Sequence, residues 1–119
     1  MKAYLETLRE DKESLIESIV YYERIIKSSK ELIELTTSNI KWINRVMKKH
    51  KKLYAYESNL KEIIAEDLKT RNCYYKNRSK YRKVLQEEIE QLEEYKYALE
   101  ETMEEIKRVA QQINERGCN

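Results

Sequence analysis

The chain has no proline, no phenylalanine and a single glycine, Gly117. Sheets, tight hairpins and phosphate-cradling loops draw on residues that reach positive φ cheaply and on prolines that preset a turn. Their near absence argues against a β-rich fold and against a glycine-loop nucleotide site. Helices joined by short polar connections need neither residue. Length supports the same economy, since 119 residues make one domain or one elongated unit.

Histidine and cysteine are almost as scarce. His50 is the only histidine, and Cys73 and Cys118 share no metal-ligand spacing. A zinc site wants more nitrogen and sulfur ligands than these, so no metal or other cofactor is expected. Any Ser-His-Asp or Cys-His constellation would hang on His50, which lies in the cationic run "KKHKK". A structural histidine is the better expectation, and the chain is expected not to be an enzyme. A di-metal carboxylate bundle needs Glu-x-x-His on two helices, and the sequence has none. No stretch approaches the roughly 18 apolar residues of a membrane span, and the first residues lack a signal peptide's apolar core. The expectation is a cytoplasmic chain without membrane contact. Two unpaired thiols suit a reducing compartment, and Cys118 is expected to be exposed.

Charge is plentiful instead: 39% of residues are Asp, Glu, Lys or Arg, for a net of +2. Residues 1–40 hold 6 basic and 8 acidic side chains, residues 41–83 hold 14 and 4, and residues 84–119 hold 4 and 10. A basic middle either attracts polyanions or packs beside acidic flanks of this chain or a partner. Helical bundles routinely carry such complementary charge, which favours packing.

Apolar residues recur at helical spacing throughout. Leu5, Leu8, Leu15, Ile19, Tyr22, Ile26 and Ile33 alternate three and four apart, with polar breaks at Lys12 and Ser29. A second row, Ile16, Val20, Ile25 and Leu32, widens the stripe beyond what a two-stranded coiled coil needs. At "TTSN", residues 36–39, Ser38 or Asn39 can cap a new helix, so a break is expected. Thr36, Ile40, Ile43 and Met47 nevertheless keep the first seam in phase, as one long helix would.

Trp42, Val46, Leu53, Tyr56, Leu60 and Ile63 form a middle seam that crosses residues 57–59 in phase. Asn59 with Glu62 offers a capping box there as the alternative boundary. Leu85, Ile89, Leu92, Lys96, Leu99, Met103, Ile106, Ala110 and Ile113 form the last seam. Gly117 then stands where a helix C′ residue belongs.

The expected fold is therefore all-α, an elongated antiparallel three-helix bundle in a single domain. Its helices span about 3–35, 39–70 and 79–116, with connections at about 36–38 and 71–78. The alternative is a long helical hairpin that dimerises into a four-helix bundle.

One stretch resists this scheme. "KTRNCYYKNRSKYRK", residues 69–83, holds seven Lys or Arg, three Tyr and no acid. As continuous helix it would set Arg71, Arg78 and Arg82 along the core line, where unpaired guanidiniums are prohibitive. The chain could break there, the arginines could sit at an open bundle end, or a partner could dock. Arg71, Tyr74, Tyr75, Arg78, Tyr81 and Arg82 are thus candidate partner-binding residues. Trp42 joins them as either a core anchor or an interface hot spot. The function expected is a non-enzymatic protein–protein interaction module: an adaptor, assembly factor, inhibitor or chaperone-like subunit, and a homo-oligomer. The alternative is a small nucleic-acid-binding protein using residues 69–83, with Tyr stacking on bases and Lys or Arg on phosphates.

Overall fold

The computed structural model describes residues 1–117. It contains two helices, α1 (Lys2–Leu53) and α2 (Leu60–Gly117), and no strand among the described residues. Cys118 lies outside the described residues. The chain divides into two compact units: residues 27–86 form one, and residues 1–26 with the chain from Glu87 onward form the other.

Two helices stand where three were expected. The break at 36–38 is absent because the seam phase continues through it. Thr36 is buried on that line, and its hydroxyl donates to the Leu32 carbonyl, 2.8 Å. A threonine that satisfies itself on the preceding turn fits a helix interior without a cap. The connection expected at 71–78 is absent too, since α2 runs straight across it.

The reversal falls at 54–59, across the segment expected to be helical and next to the Asn59–Glu62 alternative. The Glu57 N–H donates to the Tyr54 carbonyl (3.0 Å), and the Leu60 N–H to the Glu57 carbonyl (3.3 Å). The Ile63 N–H then reaches the Asn59 carbonyl, so Asn59 begins the i→i−4 ladder of α2. Among the described residues no non-glycine residue takes positive φ. Two hydrogen-bonded turns in series therefore reverse the chain without glycine. Local charge favours both ends: His50, Lys51 and Lys52 close α1, and Glu62 opens α2.

Within residues 27–86 the end of α1 and the start of α2 fold back as a helical hairpin. Ile40, Ile43 and Met47 are its buried apolar residues. Within the other unit, Leu5, Leu8 and Val109 form a buried cluster with Ile106 and Ile113 packed against it. Tyr22 meets Tyr95 there, ring centroids 5.4 Å apart.

The last seam differs from expectation along one row. Leu85, Leu92, Leu99, Ile106 and Ile113 keep their places, but Tyr95 and Val109 join them in place of Lys96 and Ala110. Val109 is 0% exposed, whereas Met103 is 41% exposed. The apolar stripe offers both i+3 and i+4 neighbours of each leucine. Packing Val109 and a tyrosine ring buries more apolar area than packing Ala110 and a lysine stem.

Proline separates the two placements of the chain reversal. Ser38→Pro is expected to destabilise the protein by about 3 kcal/mol or more in urea unfolding, because it removes an interior helical bond. Ser58→Pro is expected to change stability by less than about 1 kcal/mol, since it follows Glu57 at the second position of the turn 57–60, where proline fits.

Candidate functional site: a polar seam in the basic unit

Residues 27–86 carry 16 Lys or Arg and 6 Asp or Glu, a net of +10. The candidate residues lie in this unit, and a heptad of α2 decides which face inward. Leu60, Ile64, Asp67, Arg71, Tyr74, Arg78, Tyr81 and Leu85 alternate four and three apart, and each is buried or half-buried. Three polar contacts cross from this line to α1. His50 donates from Nδ1 to Asp67 Oδ2 at 2.6 Å, and Asp67 is buried. Arg71 Nη1 donates to Asn44 Oδ1 at 3.2 Å. Arg78 Nη1 donates to Thr37 Oγ1 at 3.3 Å, and its guanidinium lies 5.2 Å from the Tyr75 ring centroid.

Asn44 and Thr37 are seven residues apart, as are Arg71 and Arg78, so one heptad step on α1 answers one on α2. In that register Ile43 falls level with Tyr74, and Thr36 with Tyr81. The half-buried rings fill space against the seam, and their polar tips suit its partial exposure.

The arginines neither break the helix nor reach glutamates. Each lies half-buried on the core line and donates to a neutral side-chain oxygen of α1. Arg71 Nε is buried with no hydrogen-bond partner, which leaves part of its desolvation uncompensated.

Arg82, expected beside them, is exposed. A straight helix projection sets it near Arg71, but a strict seven-residue repeat drifts by about 20° per heptad from that projection. Along the supercoiled seam the inward place falls to Tyr81. Tyr75 and Trp42 also face out, 42% and 48% exposed, and Ile43 takes the core position beside the tryptophan. The seven candidates therefore separate into four seam residues (Arg71, Tyr74, Arg78, Tyr81) and three outward ones (Trp42, Tyr75, Arg82).

The Asp67–His50 pair was not singled out from sequence. Both residues were legible as seam positions: His50 continues the α1 heptad from Met47, and Asp67 the α2 heptad from Ile64. No group of three or more His, Cys, Asp or Glu suited to a metal ion occurs among the described residues. No helix there is long and apolar enough to cross a membrane.

The other unit carries a second, exposed polar cluster. Glu105 accepts from Arg108 (Nε, 3.0 Å) and from the Tyr4 hydroxyl (3.4 Å). The hydrogen bond from Arg108, with its charge, holds the Glu105 carboxyl below the usual glutamate range. Nearby, the hydrogen bond to Glu101 pushes the Tyr97 phenol up. A depressed carboxyl contributes stability above its unfolded pKa and loses it as pH falls through the folded value. Glu105→Gln is thus expected to lower thermal stability slightly in the neutral range and leave the acid range little changed, so that the acid-side loss shrinks. The difference should fade in high salt, as for any exposed pair; an acid limb unaltered in Glu105→Gln would contradict it.

Replacing both seam arginines with leucine is expected to stabilise the protein by roughly 1–4 kcal/mol in urea unfolding, by exchanging desolvated charge for packing. Arg82→Leu should be nearly neutral. Destabilisation of the double variant would mean that the Asn44 and Thr37 contacts outweigh the desolvation. Comparison of the chain with protein-family models, with curated proteins and with solved structures returns no match.

Proposed function

We propose that the chain is a non-enzymatic helical module acting by protein–protein contact, in the class of adaptors, assembly factors, inhibitors or chaperone-like subunits, and that it self-associates. One observation carries this: α1 bears a second apolar row, four of whose six side chains are exposed and two half-buried. Ile25, Leu32, Leu35, Trp42, Val46 and Leu53 follow one another at intervals of three, four and seven residues, along one flank of the buried seam. Leu32, Leu35, Trp42 and Leu53 are exposed.

In each unit two paired helical segments close one seam, which accounts for the imbalance between seven buried apolar side chains and fifteen large exposed ones among the described residues. A stripe this wide suits a helix that touches more than one neighbour. Further helices would complete a bundle, and a four-helix bundle made by dimerisation is the simplest such assembly. The exposed free thiol of Cys73 suits a reducing compartment such as the cytoplasm.

A second interpretation keeps the basic stretch. Lys69, Lys76, Lys80, Arg82 and Lys83 remain exposed with Tyr75, while Arg71, Arg78, Tyr74 and Tyr81 face the seam. Nucleic acid would meet lysines and one ring there, which supports phosphate contact more than base stacking.

The variant Leu35→Glu/Trp42→Glu tests the first interpretation, because both side chains are exposed and neither belongs to the seam. Its helicity by circular dichroism should match the wild type, while proteins captured by the wild type from cells of its source should be lost. An unchanged captured set would overturn the assignment of function to this row. Filter binding at about 50 mM salt tests the second, and absence of affinity there would end it.

A further inference from the structure

We infer that residues 27–86 present a two-helix groove that takes an amphipathic helix with acidic flanks from another protein. This rests on the assignment of the α1 row as a contact surface, and it adds the facing edge of α2 and the chemistry of the partner.

The polar contacts fix which edges face the same way. Thr37, Asn44 and Tyr75 each follow a seam residue by one position, and Arg78 touches both Thr37 and Tyr75. The positions that follow the seam therefore share one side of this helix pair. Those that precede it share the other side, as antiparallel heptads require. On that second side Leu32, Asn39 and Val46 of α1 lie beside Val84, Asn77 and Thr70 of α2. Leu35 and Trp42 widen it along α1. Leu32, Leu35, Trp42 and Val84 are exposed, so apolar side chains from both helices border the groove. A groove of this kind takes a helix through apolar anchors at i, i+3, i+4 and i+7.

Charge names the partner. Residues 35–53 hold six Lys or Arg and residues 68–86 hold seven, and neither stretch holds an acid. Lys49 and Lys80 stand on the two rims, three residues beyond Val46 and Asn77, and both are exposed. A helix whose apolar stripe is flanked by Asp or Glu matches both the groove and its rims. The same face of a second copy is equally cationic, so self-association falls to other surfaces. Asn39 and Asn77, half-buried along the groove, favour a peptide that can hydrogen-bond over lipid hydrocarbon. Nucleic acid offers phosphates to the rims but no apolar stripe to the groove.

Trp42 is the only tryptophan, so its fluorescence reports on the groove directly. The probes are a synthetic three-heptad peptide with Leu at a and d and Glu at e and g, and the same peptide with Lys at e and g. The Glu peptide should shift Trp42 emission to the blue and saturate, while the Lys peptide should not. Val84→Glu, on the opposite helix, should weaken binding on the order of tenfold with helicity retained. Lys76→Glu/Lys80→Glu should remove the preference for the Glu peptide. No shift with the Glu peptide, an equal response to both peptides, or a shift given by phosphatidylserine vesicles or single-stranded DNA in its place would each overturn the inference. So would emission that moves with protein concentration alone, which would mean a second copy in the groove. Loss of captured proteins in Leu35→Glu/Trp42→Glu, with Val84→Glu unaffected in capture and peptide binding, would overturn the groove and leave the contact row standing.

Discussion

Two helical segments that share a seam must hold one phase along their contact, and within each of the two units that phase is an alternation of three and four residues. Leu5, Leu8, Leu15 and Ile19 set it near the start of α1, and Ile40, Ile43 and Met47 still obey it near the end. The seven-residue repeat is shorter than two full α-helical turns, so the helices must wind slightly around each other to keep it. Side chains then turn inward because of their place in the repeat, whatever their polarity. Thr36, Asp67, Arg71 and Arg78 lie on the seam for this reason.

The polar seam of residues 27–86 weakens the packing and sharpens its register. Arg71 leaves Nε unpaired, and both guanidiniums donate to neutral oxygens, so neither contact repays full desolvation of a cation. Their value lies in discrimination between alignments. A slide of one heptad would set Asp67 level with Ile43 and deprive His50 of its carboxylate. An unpaired buried carboxylate is among the costliest faults a packed seam can contain. The same slide would cost nothing in a seam of uniform leucine, where each layer resembles the next. Placed just before the chain reversal, the His50–Asp67 pair aligns the two helices where they first meet.

The helical class and the α1 seam are readable from periodicity and from the missing glycine and proline, whereas Gly117, expected just past the helix, lies within α2. The sequence favours three helices, and the two of the structure match only the hairpin alternative, with the reversal elsewhere. "TTSN" resembles a cap, and only the buried Thr36 hydroxyl bonding to Leu32 shows that the helix absorbs it. The true reversal has no glycine or proline to announce it, and its apolar residues Leu53, Tyr56 and Leu60 imitate a continuing seam. For the candidate site, phase alone places Arg71 and Arg78 on the core line, whereas a straight projection sets Arg82 about 30° from its place on a supercoiled seam. The His50–Asp67 pair depends on how two distant segments align, which no local window contains.

Hydrogen exchange of the backbone amides tests the continuous two-helix frame most directly. Amides at 36–39 and 71–78 should be protected as strongly as their helical neighbours, with rapid exchange confined to the reversal at 54–59 and to the chain ends. Rapid exchange at 36–39 or 71–78, with protection across 54–59, would contradict the continuous helices on which the polar contacts of residues 27–86 depend.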